Sequence, residues 1–348
     1  MNTMNQNVIT VAISEVVDMI STFATIRVPM IIWGEPGVGK SAIVKQYAES
    51  IGAVFVDIRL SQYDAVDIRG LPDVRDGKTR WLMASTMPFV GNDLFPTDRP
   101  IVLFLDEIMH ANASVQGPCF QLLHPDDRGF GEHKLLPNVI VVAAANREGD
   151  RAGTNRLLAP LANRVAHINV EVDAEAFHQY ALSAGFSPAI TNFLRFRPGH
   201  LSQFAEAVKT GIKAFPTPRA WETVNKVLST AEQPRLRSMA IAAVIGTGVE
   251  AEFSAFLKVQ DEVPRFSTIL RDPHNAEIPG YDRRDILWSV VGMLFARAKV
   301  DNIDALMPYI KRLPIEYQVV LAADIAKNRT DLMIASNELT QLVSELSK

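Results

Sequence analysis

The chain is 348 residues long, 48% hydrophobic and 21% charged, with a formal net charge of -4. That size and balance suit about two ordinary globular domains with a sizeable core, and offer no whole-protein electrostatic footprint for nucleic acid, although a local basic groove stays open. No run of eighteen apolar residues occurs and no basic stretch leads into an apolar one at the start, which argues against membrane insertion. The single cysteine, Cys119, excludes an internal disulfide, and its apolar helical surroundings read as a buried inert thiol in a reducing, cytoplasmic protein.

In chain order, Ile9, Ala12, Ile13, Val16, Val17, Ile20 and Phe23 recur at helical spacing and predict an opening amphipathic helix. Residues 30–33 form an apolar strand, followed by Gly34-Glu35-Pro36-Gly37-Val38-Gly39-Lys40-Ser41 and then a helical stretch from Ala42 to Ala48. Further near-continuous apolar runs at 54–60, 101–105, 139–145 and 165–170 predict strands buried on both faces. With helices between them this is a doubly wound parallel sheet, whose ligand site belongs at the carboxyl ends of its strands. An Asp-Gly pair within 71–82 predicts a hairpin. Beyond about residue 171 the β-rich runs stop, and Pro-Gly and Pro-x-Pro punctuation at 197–199 and 215–219 separates helical stretches. The stripes Ile286, Leu287, Val290, Val291, Leu294 and Leu339, Leu342, Val343, Leu346 read as core or interface.

Residues 34–41 complete a G-x-x-x-x-G-K-[ST] phosphate loop between a strand and a helix. Its glycines let backbone N–H groups turn inward around a polyphosphate, and the following helix aims its positive end at the anion. Gly34 to Ala42 are therefore the candidate nucleotide-binding residues: Lys40 would reach the β- and γ-phosphates of ATP, and the Ser41 hydroxyl would ligate Mg²⁺. The strand at 101–105 delivers Asp106 and Glu107 to the same edge, Asp106 toward the metal and Glu107 to polarise the attacking water, with a dipole-stabilised charge at a helix start as the alternative for Glu107. Asn146 ends a third strand, where it is either a turn former or an amide that bonds the γ-phosphate and the lytic water.

Phosphate loop, Asp-Glu pair, strand-tip Asn and helical second half resemble an AAA+ ATPase. More narrowly the chain resembles the MoxR branch, through Asp67-Ile-Arg-Gly70-Leu-Pro72, Gly77-Lys-Thr-Arg80-Trp81-Leu, Leu158-Ala-Pro-Leu-Ala-Asn163-Arg164 and Thr217-Pro218-Arg219-Ala-Trp221-Glu222. The likeness covers roughly residues 8 to 230. It implies an α/β P-loop NTPase core with a five-stranded parallel sheet over 1–170, an all-helical lid over 171–295 and a helical C-terminal extension over 296–348.

The resemblance also implies roles. Arg164 would be a finger facing the γ-phosphate of a neighbouring protomer, with Arg151 and Arg156 able to share or replace it, and Arg219 would touch the nucleotide from the lid. A hairpin in the second helix would project toward a central pore, making Arg80 and Trp81 candidates for substrate or partner contact, although packing is the better reading for Trp81; Arg128-Gly129-Phe130-Gly131 would be a flexible pore loop, and a glycine-rich turn before the fourth strand explains it nearly as well. The implied activity is ATP hydrolysis in a homo-oligomeric ring, a hexamer by family expectation, that remodels a protein substrate. A separate protein with a von Willebrand A domain would be its partner, since no D-x-S-x-S string occurs in this chain. A nucleic-acid motor and a nucleotide-dependent assembly scaffold are the competing functions.

Overall fold

The computed structural model describes residues 8–124, 126–147, 162–230, 232–259 and 262–346. The chain divides into two units, 1–173 and 174–348. The first is built on a six-stranded sheet of β1 (Ile9–Val11), β2 (Met30–Trp33), β3 (Val54–Arg59), β6 (Ile101–Asp106), β9 (Val139–Ala145) and β10 (Ala166–Val170), in the order β1-β10-β2-β9-β6-β3. Every pairing in it is parallel.

Alternation along the strands sorts side chains onto two faces. Ile31, Trp33, Leu103, Leu105, Val141 and Ala143 belong to one buried cluster, with Val115, Cys119 and Leu122 of α4 (Ala113–Leu122). Met30, Ile32, Val102, Phe104, Val142 and Ala144 belong to another, with Val16 and Ile20 of α1 (Val16–Thr25) and Val44, Tyr47 and Ala48 of α2 (Lys40–Ser50). Burial on both sides explains the uninterrupted apolar runs. Each fully buried large side chain contributes about 1.5–3 kcal/mol by transfer from water.

The five expected strands are present, and β1 adds a sixth that periodicity assigned to the opening helix. Ile9-Thr10-Val11 is extended and pairs with β10, Ile9 opposite Ile168; a 3₁₀ turn at Ile13–Glu15 intervenes, and the helix starts only at Val16. Two β-branched residues flanking a threonine fit a pleated edge better than a first helical turn. Two short hairpins stand apart from the main sheet. β4 (Leu71–Arg75) and β5 (Lys78–Leu82) meet at Asp76-Gly77, both with positive φ, and β7 (Gly129–Phe130) pairs with β8 (His133–Lys134). A five-residue helix, α3 (Ala65–Arg69), precedes the first hairpin.

The second unit is helical: α5 (Ala174–Ser183), α6 (Pro188–Phe196), α7 (Phe204–Thr210), α8 (Pro218–Thr230), α9 (Pro234–Ile245), α10 (Thr247–Val259), α11 (Phe266–Arg271), α12 (Arg284–Arg297), α13 (Ile303–Ile310), α14 (Ile315–Asn328), α15 (Thr330–Ala335) and α16 (Asn337–Leu346). The boundary expected at 295/296 falls inside α12. Residues from Ile269 to Leu342 share one buried cluster that includes Leu287, Val291, Leu306, Tyr317 and Leu339, so the C-terminal stretch packs on the helices before it rather than standing as a separate domain.

Candidate nucleotide site

The site is assembled where β2, β9 and β6 end side by side. After Trp33 the chain turns through residues 34–39 into α2. Gly39 caps that helix at φ 108, a left-handed conformation that side chains rarely adopt. Gly34 lies so close to β10 that a Cβ would sit 2.9 Å from the Val170 carbonyl oxygen. Between them Val38 is buried, while Glu35, Pro36 and Gly37 are partly exposed; Ala42 faces outward on the first turn of α2.

Lys40 is drawn inward. Its ammonium donates to the Gly34 carbonyl at 2.7 Å, the Glu35 carbonyl at 3.1 Å and Asn146 Oδ1 at 3.1 Å. Only 9% of the residue is exposed, so a positive charge is buried in a cage of dipoles at a helix start. Asn146 follows β9, which lies between β2 and β6, and this central place lets one amide reach the loop lysine. The next residue, Arg147, donates from Nε to Asn169 Oδ1 at 2.8 Å and from Nη2 to the Val170 carbonyl at 3.0 Å, tying the tip of β9 to the end of β10.

Ser41 Oγ donates to Asp106 Oδ2 at 3.1 Å. A hydroxyl and a carboxylate oxygen side by side are the hard donors that suit Mg²⁺, which takes one or two protein oxygens and completes its octahedron with water and phosphate. The two residues therefore fit the metal. Glu107 occupies the left-handed region at φ 57, and its N–H donates to Asp106 Oδ1 at 2.8 Å. That backbone twist turns its carboxylate toward β3: Ser61 Oγ donates to Glu107 Oε2, and Arg59 Nε stands 3.9 Å from Oε1. Asp57, on the same strand, has its carboxyl held above the usual carboxylate range by partial desolvation, then by the Asp106 charge, with Arg59 opposing and Glu107 adding a little.

Lys40, Ser41, Asp106 and Asn146 are thus brought together, with Glu107 beside them. Arg164 is not in that group. It is exposed in the turn before β10, at the amino end of a strand parallel to β2, whereas the phosphate loop follows β2's carboxyl end. At about 3.3 Å per residue, the four steps of β10 alone put about 13 Å of strand between Arg164 and the loop edge of the sheet. Arg219 lies in the second unit, exposed in the first turn of α8. Two residues on, the wholly buried Trp221 donates from Nε1 to the His200 carbonyl at 2.8 Å and packs against Phe193 and Phe253, which anchors that helix turn. Arg151 and Arg156 fall outside the described residues.

Sequence reasoning missed Arg59, Ser61 and the pair Trp33–His167. Trp33 Nε1 donates to His167 Nδ1 at 2.9 Å with the rings stacked at 5.9 Å, and His167 Nε2 is 2.7 Å from the Ala162 carbonyl. A register linking β3 to β6, Arg59 opposite Asp106, is what brings the first two to Glu107, and no local spacing announces it.

Residues 29–165 match the family model for the AAA domain, dynein-related subfamily. Midasin from Giardia intestinalis is 28% identical over 203 residues, 56% of this chain and 4% of midasin. Lon protease 2 from Borreliella burgdorferi is 32% identical over 149 residues, 40% of this chain and 17% of that protease. The chain therefore spans a small fraction of either relative. Among solved structures, a RuvB mutant from Thermotoga maritima aligns over 86% of this chain and 85% of its own at 15% identity and TM-score 0.39. A putative ATPase from Cytophaga hutchinsonii covers 49% and 50% at 16% identity and TM-score 0.35. The family match over 29–165, the parallel sheet with its phosphate loop at the end of β2, and the acids at the end of β6 give the first unit the AAA+ α/β fold and make it similar to the AAA domain of the dynein-related subfamily.

Proposed function

We propose that the chain is an ATP-hydrolysing, ring-forming motor of MoxR type that remodels or chaperones a protein complex in the cytoplasm, with a separate von Willebrand A domain protein as its partner. The observation that carries the reading is the convergence of Lys40, Ser41, Asp106 and Asn146 on one sheet edge with Glu107 beside them.

On that reading the inward bonds of Lys40 exchange for oxygens of the β- and γ-phosphates. Ser41 and Asp106 would hold Mg²⁺, which when bound supplies charge neutralisation on those oxygens. Asn146, released from Lys40, orients the γ-phosphate and the water. Glu107 accepts a proton from that water as its oxygen bonds to the γ-phosphorus; the bond from γ-phosphorus to the β-γ bridging oxygen breaks, leaving ADP and phosphate. The Ser61 bond and the nearby Arg59 charge set where the Glu107 carboxylate rests between turnovers. Arg164, on the far edge of the sheet from its own loop, serves the site of the next chain, where a guanidinium neutralises charge developing on the transferred group. Arg219 would couple the helical unit to the nucleotide.

The test is steady-state ATP hydrolysis by wild type, Glu107→Gln, Arg164→Ala and their mixture, with particle mass followed by light scattering. Each variant alone is expected to lose about a hundredfold or more in turnover, and the mixture to recover activity at interfaces pairing an intact base with an intact finger. Turnover by a monomer, or a fully active Arg164→Ala, removes the trans mechanism. Strong, salt-sensitive stimulation by DNA or RNA would instead favour a nucleic-acid motor, and a Glu107→Gln chain that keeps its cellular role would favour a scaffold.

A further inference from the structure

Two parts of the proposed machine lie at opposite ends of the parallel strands, and one side-chain link joins them. Trp33 is the residue immediately before the phosphate loop, and only 7% of it is exposed. Its indole can only donate, so His167 Nδ1 is the acceptor in the 2.9 Å bond. A neutral imidazole that accepts at Nδ1 carries its proton at Nε2, which then donates to the Ala162 carbonyl at 2.7 Å. Both ring nitrogens are satisfied only in this tautomer.

The register explains the reach. His167 pairs with Ile31 and Asn169 with Trp33, so the imidazole lies one same-face step back along β10 from the strand position opposite the indole. Ala162 lies two residues before Arg164. The link therefore runs from the entrance of the phosphate loop, along the sheet face, to the turn that presents the arginine. Meanwhile the carboxyl end of β10 is clamped to the loop and to the tip of β9 by the close approach of Gly34 to Val170 and by the two bonds of Arg147. Strand β10 is thus fixed at its loop end, and the imidazole carries that fixed position to its other end.

We propose that His167 is a positioning residue, which with Trp33 holds the Arg164 turn in the orientation offered to the neighbouring chain and ties that orientation to the seating of the phosphate loop. The inference rests on the trans-acting reading of Arg164 given above. The contacts of His167 are to Trp33 and Ala162, and its effect is on an active site that belongs to another copy of the chain.

In the 348-residue chain, His167→Phe removes both hydrogen bonds and keeps a flat ring. Trp33→Phe removes the N–H donor together with part of the ring's bulk, and His167→Gln keeps one acceptor and one donor. His167→Phe is expected to bind a fluorescent ADP analogue within about twofold of wild type and to lose about tenfold in turnover, since small displacements of a positioned group cost that much or more. His167→Gln should recover most of the loss. The deciding measurement is complementation. Mixed with Glu107→Gln, which supplies sound arginines, His167→Phe should regain activity; mixed with Arg164→Ala it should not. Trp33→Phe should follow the same pattern more weakly, and gives the answer if the phenylalanine variant at 167 fails to fold.

Activity regained with Arg164→Ala and not with Glu107→Gln would place the defect in the chain's own site and overturn the proposal, as would a fully active His167→Phe or Trp33→Phe. So would failure to recover in either mixture. The control pair Arg164→Ala with Glu107→Gln separates the two levels: if it does not complement, the trans finger itself is wrong and this inference falls with it, whereas complementation by the control but not by His167→Phe removes this inference alone.

Discussion

Asp57 bears a residue-scale cost of gathering acids at the end of β6. Its carboxyl titrates above the ordinary value of 3.8 because neighbouring protein partly desolvates it, although it stays exposed, and because Asp106 repels it. Ionisation is therefore disfavoured in the fold: the penalty is fully present above the folded pKa and vanishes as pH falls below the unfolded value. Asp57→Asn is expected to raise the melting temperature by about a degree or two at pH 8, with solvent screening keeping the gain small, and the gain should vanish near pH 3. Scanning fluorimetry across that range checks it, and an equal gain at both ends would mean that charge is not the cause. Glu107 holds a different strain, a non-glycine residue in the left-handed region, partly offset by its N–H bond to Asp106. Cys119 shows the opposite extreme from these edge groups: wholly enclosed in α4 and packed in the core, its thiol is pushed up to about 12 by burial and has no part in the chemistry.

Among elements, the two small hairpins are joined by one guanidinium. Arg69, at the end of α3, stands 4.6 Å from the centroid of Trp81 on β5 and 5.4 Å from that of Phe130 on β7, while the Trp81 N–H donates to Glu132 at 3.0 Å. Trp81 thus packs, although Leu71, Val74 and Leu82 on the same hairpin are exposed. Such contacts contribute about 0.5–1 kcal/mol each near a surface. Arg69→Ala should raise amide exchange in 71–82 and 129–134 together, with the main sheet unaffected; a rise in one hairpin only would show that they are not coupled. What was legible in sequence follows from the same scale of physics. Strands buried on both faces and a glycine loop between strand and helix leave local patterns, so the sheet and the residues Lys40, Ser41, Asp106 and Asn146 could be read directly. Strand β1 could not, because Ile9 falls on the helical stripe with Ala12, Ile13 and Val16, and only the open edge of β10 draws 9–11 into the sheet. Ser61, Arg59 and His167 were hidden for a related reason: each acts through cross-strand register, which the spacing of residues along one chain does not encode.

For the whole molecule, two units with separate buried clusters predict separable stability. Calorimetry should resolve two unfolding transitions, and Mg·ADP should raise only one of them, by mass action on the unit that binds it. Single-transition melting, or equal shifts in both, would show that the units unfold as one. Among the described residues no helix is long and apolar enough to cross a membrane. The direction of the parallel sheet has a further consequence for symmetry. Because the phosphate loop leaves β2 at one end and Arg164 enters β10 at the other, the proposed trans-acting arginine would make the patch that gives it and the patch that receives it different surfaces. A two-fold dimer joins like to like, and a contact made of unlike halves cannot be shared evenly by two chains. On that proposal, assembly through these patches would be head-to-tail: it would either close into a cycle or wind into an open spiral whose last member keeps an unread nucleotide at one end and an unused arginine at the other.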